Sequence, residues 1–336
     1  MIKALLAELS DACGIAHVSE AKDIACAHLA KYTQVKQLYG NCAAGFIKGK
    51  EDKTIMLEAH CDEVGFIVTS VDADGFVKVA SIGRVDERTL PSKPVVIHSK
   101  QKIKGVFGSV PPHLNGGEDK PASLDTLFID TGLGLKTKDL VAAGDIVTFD
   151  SAAAALGENK LCGKSLDNRA GVAALIRTAQ LLLDKQLPCN VCFLLSWNEE
   201  IGLRGAKTAA YDINPDCAVA VDVSFGNMPG VAADKTRKLG SGTMIGVSPI
   251  LSRKITDKLF WLADNKGIAH TVEVMSGTTG TDADAITVTG AGIPCGLLSI
   301  PLRSMHSCYE TVDIRDIEAT AQLLCEFVLC GGALDA

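Results

Sequence analysis

Residues 191–206 read V-C-F-L-L-S-W-N-E-E-I-G-L-R-G-A. The run Val191–Ser196, apolar but for its last residue, has the length and composition of a buried strand. It stops at two neighbouring carboxylates, Glu199 and Glu200, followed by Gly202 and Gly205. Ligand sites in open α/β sheets lie beyond the carboxyl ends of the strands. A buried strand that ends in paired acids therefore points both to a fold class and to the place where chemistry gathers.

Outward from this stretch, helix and strand alternate. Upstream, Val172, Leu175, Ile176, Ala179, Leu182 and Leu183 follow the helical i, i+3, i+4, i+7 spacing. Asp167 or Asn168 is placed to cap that helix by accepting backbone N–H bonds. Downstream, the pattern predicts a helix near 203–210, a strand at 218–223, a helix at 252–266 and a strand at 270–275. A short helix after Asp282, a strand at 295–300 and a final helix through Ile317, Ala321, Leu324 and Val328 follow. Helices are also expected over 2–12 and 20–34, ahead of a short strand at 54–57 that runs into Glu58-Ala59-His60. The middle of the chain differs. Segments 65–71, 75–80, 95–98, 103–110, 127–130 and 145–149 are short, β-rich and broken by Gly and Pro, with Asp72-Ala73-Asp74 as a hairpin signal. The expectation is an α/β fold: a mixed sheet covered by helices on both faces. Residues 1–66 and 161–336 form it, around a β-rich insertion at 67–160.

Composition excludes several classes of function. The net charge is −7 and no basic cluster exceeds a few residues, which argues against nucleic acid as a partner. No window holds the ~20 uncharged apolar residues of a membrane helix. Glu8 and Asp11 interrupt the segment where a secretory signal needs an apolar core. Twelve cysteines, several inside apolar segments, fit reduced thiols in a cytoplasmic protein. Cys189 and Cys192 open a strand, with no second pair or local histidine beside them, and read as core packing.

Polar residues of metal-binding type collect at the ends of the expected strands. They are His60 with Asp62, Asp167 before the long helix, Glu199 and Glu200, Asp222 in V-D-V, and His306 in R-S-M-H-S. Singly, each has an ordinary explanation as a helix cap, a hydrogen-bonded core histidine, a strand-end turn or a solvated loop. Jointly they place polar groups along one sheet edge, and a metal site accounts for all of them. Histidines with several carboxylates and no paired cysteines form a hydrolytic set rather than a structural zinc knot. Two ions ~3.5–4 Å apart clamp an attacking water and a carbonyl oxygen, and need a bridging ligand. A carboxylate can bridge with its two oxygens, and Asp167 is the natural choice. His60 and Asp222 would then complete one ion, and Glu200 and His306 the other. Glu199 stays free as the general base for the water between the ions, provided the backbone turns, as Gly202 and Gly205 permit. Asp62, two residues beyond His60, would accept the second ring N–H of His60 and fix its tautomer.

With these residues in place, the chain resembles the tetrahedral (glutamyl or deblocking) aminopeptidase family of dimetal peptidases. The motifs are A-H-C-D-E-V-G (59–65), P-P-H-L (111–114), S-L-D-N-R-A-G (165–171), N-E-E-I-G-L-R-G-A (198–206), V-D-V (221–223), G-T-D-A (280–283) and R-S-M-H-S (303–307). They span nearly the whole chain in the family's order. The resemblance implies His60, Asp167, Glu200, Asp222 and His306 as metal ligands and Glu199 as general acid–base. It implies an aminopeptidase-like fold with a PDZ-like domain at 67–160 that serves oligomerisation. It further implies a homo-oligomer, a tetrahedral dodecamer with inward-facing sites, acting on peptide substrates. Three positions depart from the family pattern. Asn168 stands where the family often has Asp, and Ser304 and Cys308 replace Tyr and Pro around His306. The last two bear on specificity. Cys61 and Cys308, beside the inferred ligands, predict a site sensitive to oxidation.

The functional expectation is a metallo-aminopeptidase with two divalent ions per subunit. Zn²⁺ suits the ligands, with Co²⁺ or Mn²⁺ as alternatives. A dimetal amidohydrolase, either a carboxypeptidase or an N-acyl amino acid deacylase, would use the same ligands and differs in tolerating a blocked N-terminus. A non-catalytic assembly module on the same fold would bind no metal. A glycosidase needs a carboxylate pair flanking a sugar, which a set dominated by metal ligands does not supply. Glu63, Thr281 and Asp282 stand between a supporting role at the site and simple turn or capping roles.

Overall fold

A computed structural model describes residues 2–114 and 122–332 of the chain. The helices are α1 (Ile2–Asp11), α2 (Glu20–Leu29), α3 (Thr137–Leu140), α4 (Leu166–Leu181), α5 (Arg204–Ile213), α6 (Arg253–Lys266), α7 (Asp282–Thr287) and α8 (Ile314–Leu329). The strands of the first half are β1 (Gln34–Gln37), β2 (Ala43–Ile47), β3 (Glu51–His60), β4 (Gly65–Val71), β5 (Val77–Ile82), β6 (Pro94–His98), β7 (Lys102–Gly108), β8 (Phe128–Asp130) and β9 (Ile146–Phe149). Those of the second half are β10 (Ala154–Leu156), β11 (Lys160–Gly163), β12 (Cys189–Ser196), β13 (Cys217–Phe225), β14 (Thr243–Val247), β15 (His270–Val274), β16 (Cys295–Arg303) and β17 (Glu310–Asp313).

One 11-stranded sheet has the order β1-β2-β12-β3-β13-β16-β17-β11-β10, with β14 paired to β16 and β15 to β14. Its centre is parallel: β12, β3, β13 and β16 run the same way. β2, β14 and β17 join them antiparallel. Parallel strands need cover on both faces, and alternation along β3 shows that they have it. A Cβ placed on Gly171 of α4 would lie 3.1 Å from the Ala59 side chain. Glu58, the next residue back and so on the other face, meets Ser196, whose hydroxyl also contacts Asp282 of α7. α4 and α7 therefore sit on opposite faces.

Packing makes α4 more buried than its apolar stripe implies. Only Arg177, Gln180 and Leu181 fall outside its buried set, because α1, α2 and α8 cover its outer side. Leu183, in the expected stripe, lies beyond the helix and is 49% exposed. The expected cap is present on Asn168, whose Oδ1 accepts from the Gly171 N–H at 3.0 Å. Asp167 is thereby left free of capping.

The β-rich middle closes into a barrel in the order β4-β5-β8-β7-β6-β9, and closure removes its free edges. It has its own apolar cluster. At its heart Phe66 meets Phe107 and Phe149 edge-on, with ring centroids 5.0 and 5.6 Å apart. The expected hairpin is there: Asp72 Oδ1 accepts from Asp74 and Phe76, and Gly75 takes φ +95°.

Residues 20–34, expected as one helix, divide into α2 and β1. Tyr32, Thr33 and Val35 favour extended structure, and the Thr33 hydroxyl donates to the Leu29 carbonyl at the helix end. β2, β10, β11, β14 and β17 do not stand out in the sequence, since each is five residues or shorter and shows no clean alternation. Among the described residues, no helix is long and apolar enough to cross a membrane.

Candidate metal centre

The parallel strands deliver their carboxyl ends to one edge. β3 ends at His60, and Ser196 at the end of β12 is its partner in the ladder. The β3–β13 ladder stops at the pair Glu58–Ala220, so the strands part just before His60 and Asp222. The cleft opens in that gap, where α/β sheets place their ligands. The start of α4 brings in Asp167, the turn after β12 brings Glu199 and Glu200, and the loop after β16 brings His306. All six line one cavity of about 720 Å³.

Asp167 stands between the two histidines. Its Oδ1 is 3.2 Å from His60 Nε2 and its Oδ2 is 3.2 Å from His306 Nε2. Asp222 Oδ1 lies 3.8 Å from His60 Nε2, and Glu200 Oε1 lies 3.6 Å from His306 Nε2. Glu199 Oε2 is 3.9 Å from His60 Nε2. Ligand-type atoms fall into three groups: His60 with Asp167 and Asp222, Asp167 with Glu200 and His306, and His60 with Glu199 and Glu200. The first two groups share Asp167 and together use every residue read as a ligand.

The cluster carries more negative charge than its histidines offset. Burial, reinforced by Asp222, Asp282 and Asp167 against the opposing pull of His60, pushes Glu199 up to about 9. Burial and the neighbouring Asp167 carry Glu200 well above the usual carboxylate range. Burial disfavours a charged His60, but Glu199, Asp167, Asp222 and Asp62 together hold its pKa well above the ordinary value. Buried carboxylates are stable as anions only when paired or metal-bound. Hard oxygen donors and imidazole, at this density and without thiolates, suit two divalent cations, which would reverse these shifts.

A family model described as M42 glutamyl aminopeptidase matches residues 40–323. The chain belongs to the M42 glutamyl aminopeptidase family. It is 32% identical over 291 residues to a lysyl aminopeptidase of Pyrococcus furiosus, covering 84% of this chain and 83% of the relative. The fold matches that of an aminopeptidase from the archaeon Desulfurococcus kamchatkensis with a TM-score of 0.92 and 32% identity, over 99% of this chain and 95% of the other. The TET1 peptidase of Pyrococcus horikoshii matches with a TM-score of 0.87 and 28% identity, over 98% and 99% of the two chains. Family, fold and clustered His, Asp and Glu side chains agree: the protein is a metallo-aminopeptidase.

In this M42 chain the surrounding residues hold the segments that carry the cluster in place. Asp62 lies under the other nitrogen of His60, with Nδ1 3.3 Å from the Asp62 carbonyl and 3.5 Å from its Oδ1. The Asp62 carboxylate also accepts the backbone N–H groups of Glu199 and Glu200 at 3.2 and 3.3 Å. It thus orients His60 and pins the acidic turn at once. That turn takes positive φ at Asn198, Gly202 and Leu203. Gly205 serves another purpose: it is helical, and a Cβ there would lie 2.0 Å from the Trp197 carbonyl oxygen. Close approach of α5 to the backbone just past β12, not the positive-φ turn, requires that glycine.

The residues with open roles divide. Thr281 caps α7 by accepting from the Ala283 N–H at 3.2 Å. Asp282 is buried behind His60, where Ser196 Oγ lies 2.7 Å from its Oδ2 and 2.7 Å from Glu58 Oε1. Burial raises Asp282 to about 6 and Glu58 well above the carboxylate range. Glu63 is buried in an ion network. It accepts from Lys164 at 2.8 and 3.0 Å, from Ser165 at 2.5 Å and from the Gly14 N–H at 2.8 Å, with Arg169 at 3.7 Å. That network fixes the chain two residues before Asp167. Asn168 donates its side-chain N–H to the Val221 carbonyl at 2.7 Å, next to Asp222. An ionised Asp could not make that bond.

Glu310 supports the cluster and is missed by the sequence reading. Its buried carboxylate accepts the Asp167 N–H at 2.9 Å on Oε2 and the His306 N–H at 2.6 Å on Oε1. One side chain thus ties two segments of the cluster together. The available signal is an acid four residues past a histidine read as a ligand. Glutamine has one acceptor oxygen and would turn an N–H group towards an N–H group. Glu310→Gln should therefore lower metal affinity by about 10–100-fold, measured by chelator competition.

The expected oxidation sensitivity is not supported at the cysteines themselves. Cys61 is fully buried and burial pushes its thiol up to about 12. Cys308 is also buried and its thiol is raised by burial. Oxidation follows thiolate character and exposure, and neither residue has them. Cys189 and Cys192 are buried free thiols, consistent with core packing.

Proposed function

We propose that the chain removes N-terminal residues from peptides using two divalent ions, one held by His60, Asp167 and Asp222, the other by Asp167, Glu200 and His306. The division of the two Asp167 oxygens between the two histidines carries this reading. Such an ion pair would supply Lewis acidity towards the scissile carbonyl and would lower the pKa of a water held beside it. Glu199 lines the cleft and is required by neither ligand group, so it serves as the proton carrier. It takes the proton of the attacking water at its carboxylate and returns it to the leaving amine. Asp62 keeps His60 in the tautomer that leaves Nε2 free for the ion. Cleft carboxylates bind the free α-ammonium of the substrate, which restricts cleavage to N-termini. Zn²⁺ fits the donor set, with Co²⁺ and Mn²⁺ as alternatives.

The same reading extends to architecture. Residues 1–66 and 161–336 form the catalytic part and 67–160 the insertion, with the separate apolar cluster of the barrel in support. We take the barrel as the counterpart of the family's PDZ-like domain and assign it to oligomerisation. The similar Pyrococcus horikoshii peptidase can assemble into a tetrahedron or a large octahedral shell, which supports a closed homo-oligomer, a tetrahedral dodecamer, for this chain. A cytoplasmic location agrees with the free cysteines.

Paired peptides test the activity, one with a free N-terminus and one N-acetylated, with metal-stripped protein before and after Zn²⁺, Co²⁺ or Mn²⁺ is added. The expected outcome is metal-dependent release of the first residue from the free peptide alone. Hydrolysis of the acetylated peptide, or release from the C-terminus, would move the function to a dimetal amidohydrolase.

A further inference from the structure

The cleft continues along β13 past Asp222. Ser224, two residues on, shares the strand face of Asp222 and lies about 7 Å further along. Its hydroxyl donates to Oε1 of Glu273 on β15, which also lines the cavity. The other oxygen, Glu273 Oε2, is shielded from water and has no hydrogen-bond partner. Among the described residues no cation pairs with it. A carboxylate held in this way is costly until a cation or a strong donor meets it. Met275 and Met305 line the same cavity and offer apolar surface to a long stem.

We propose that Glu273 ends the subsite for the first side chain of the substrate and selects cationic residues, lysine and arginine. The inference rests on the aminopeptidase reading and names its substrate class. With the α-ammonium held at the ligand cluster, the separation of about 7 Å along the strand is comparable to the reach of the four-carbon lysyl stem. The stem lies on the methionines while its charged head meets Glu273. Outside the ligand cluster, the other charged residue of the cavity is Arg84. Its neighbour Gly83 lies beside Glu200, where a Cβ would come 3.4 Å from Glu200 Oε2. The flank beside Asp222 is acidic, and a glutamyl or aspartyl first residue is repelled there.

Lysine hydroxamate and norleucine hydroxamate share the stem and differ in the terminal ammonium. Calorimetric titration of the zinc-loaded protein should find the lysine compound about 10–100-fold tighter, the range for a hydrogen bond to a charged group. In Glu273→Gln that ratio should collapse, and kcat/KM for lysyl and arginyl p-nitroanilides should fall relative to the leucyl compound. Equal binding of the two hydroxamates by the wild type, or an unchanged ratio in the variant, overturns the proposal. Preferential lysine hydroxamate binding without release of any N-terminal residue would leave the subsite standing and sink the aminopeptidase reading instead.

Discussion

Glu199→Gln should keep both metal ions and lose turnover by about 10²–10⁴-fold, the usual contribution of a positioned general acid–base. The substitution preserves size and removes only the ability to carry a proton. Glu199 lies against His60 and lines the cleft, yet it belongs to neither of the two groups that share Asp167. The readouts are zinc per chain after gel filtration and kcat on a peptide with a free N-terminus. Near-full kcat would show that the proton travels another way. Loss of an ion together with activity would place Glu199 among the ligands, in the group it forms with His60 and Glu200.

Asp167→Asn should do the opposite, with metal binding failing first. Both histidines face this carboxylate, one on each oxygen, and an amide nitrogen cannot serve as the second ligand atom. Changing a residue that merely supports a ligand costs about 10–100-fold in metal affinity, so the loss here should exceed that range for at least one ion, and activity should fall with it. The fold should persist, since the helix cap resides on Asn168. Chelator competition and thermal unfolding of the metal-free protein separate the two effects. Retention of both ions with near-normal turnover would remove Asp167 from the bridging position.

The clustering of these residues is legible in the sequence because a parallel sheet brings strand ends together. Glu199, Asp222 and the E-A-H of β3 are far apart in the chain, but each follows or ends an apolar run, and the topology does the rest. Supporting residues were harder to see. Glu310 acts on two backbone N–H groups, and a side chain whose partners are backbone leaves no pattern of matched residue types. Gly205 looked like a turn residue because glycine follows a turn there. Its actual constraint is contact with the Trp197 carbonyl just past the end of β12, which no local rule encodes. Cys61 looked reactive by adjacency to His60, whereas burial decides its chemistry. The short strands at the sheet edges and the closure of the barrel depend on long-range pairing, which no single segment announces.

Anomalous diffraction from crystals of the zinc-loaded protein tests the dimetal centre most directly. Two peaks ~3.5–4 Å apart are expected at each site, with Asp167 between them, His60 and Asp222 on one and Glu200 and His306 on the other. A single peak at full zinc loading, or a pair that Asp167 does not bridge, would contradict it.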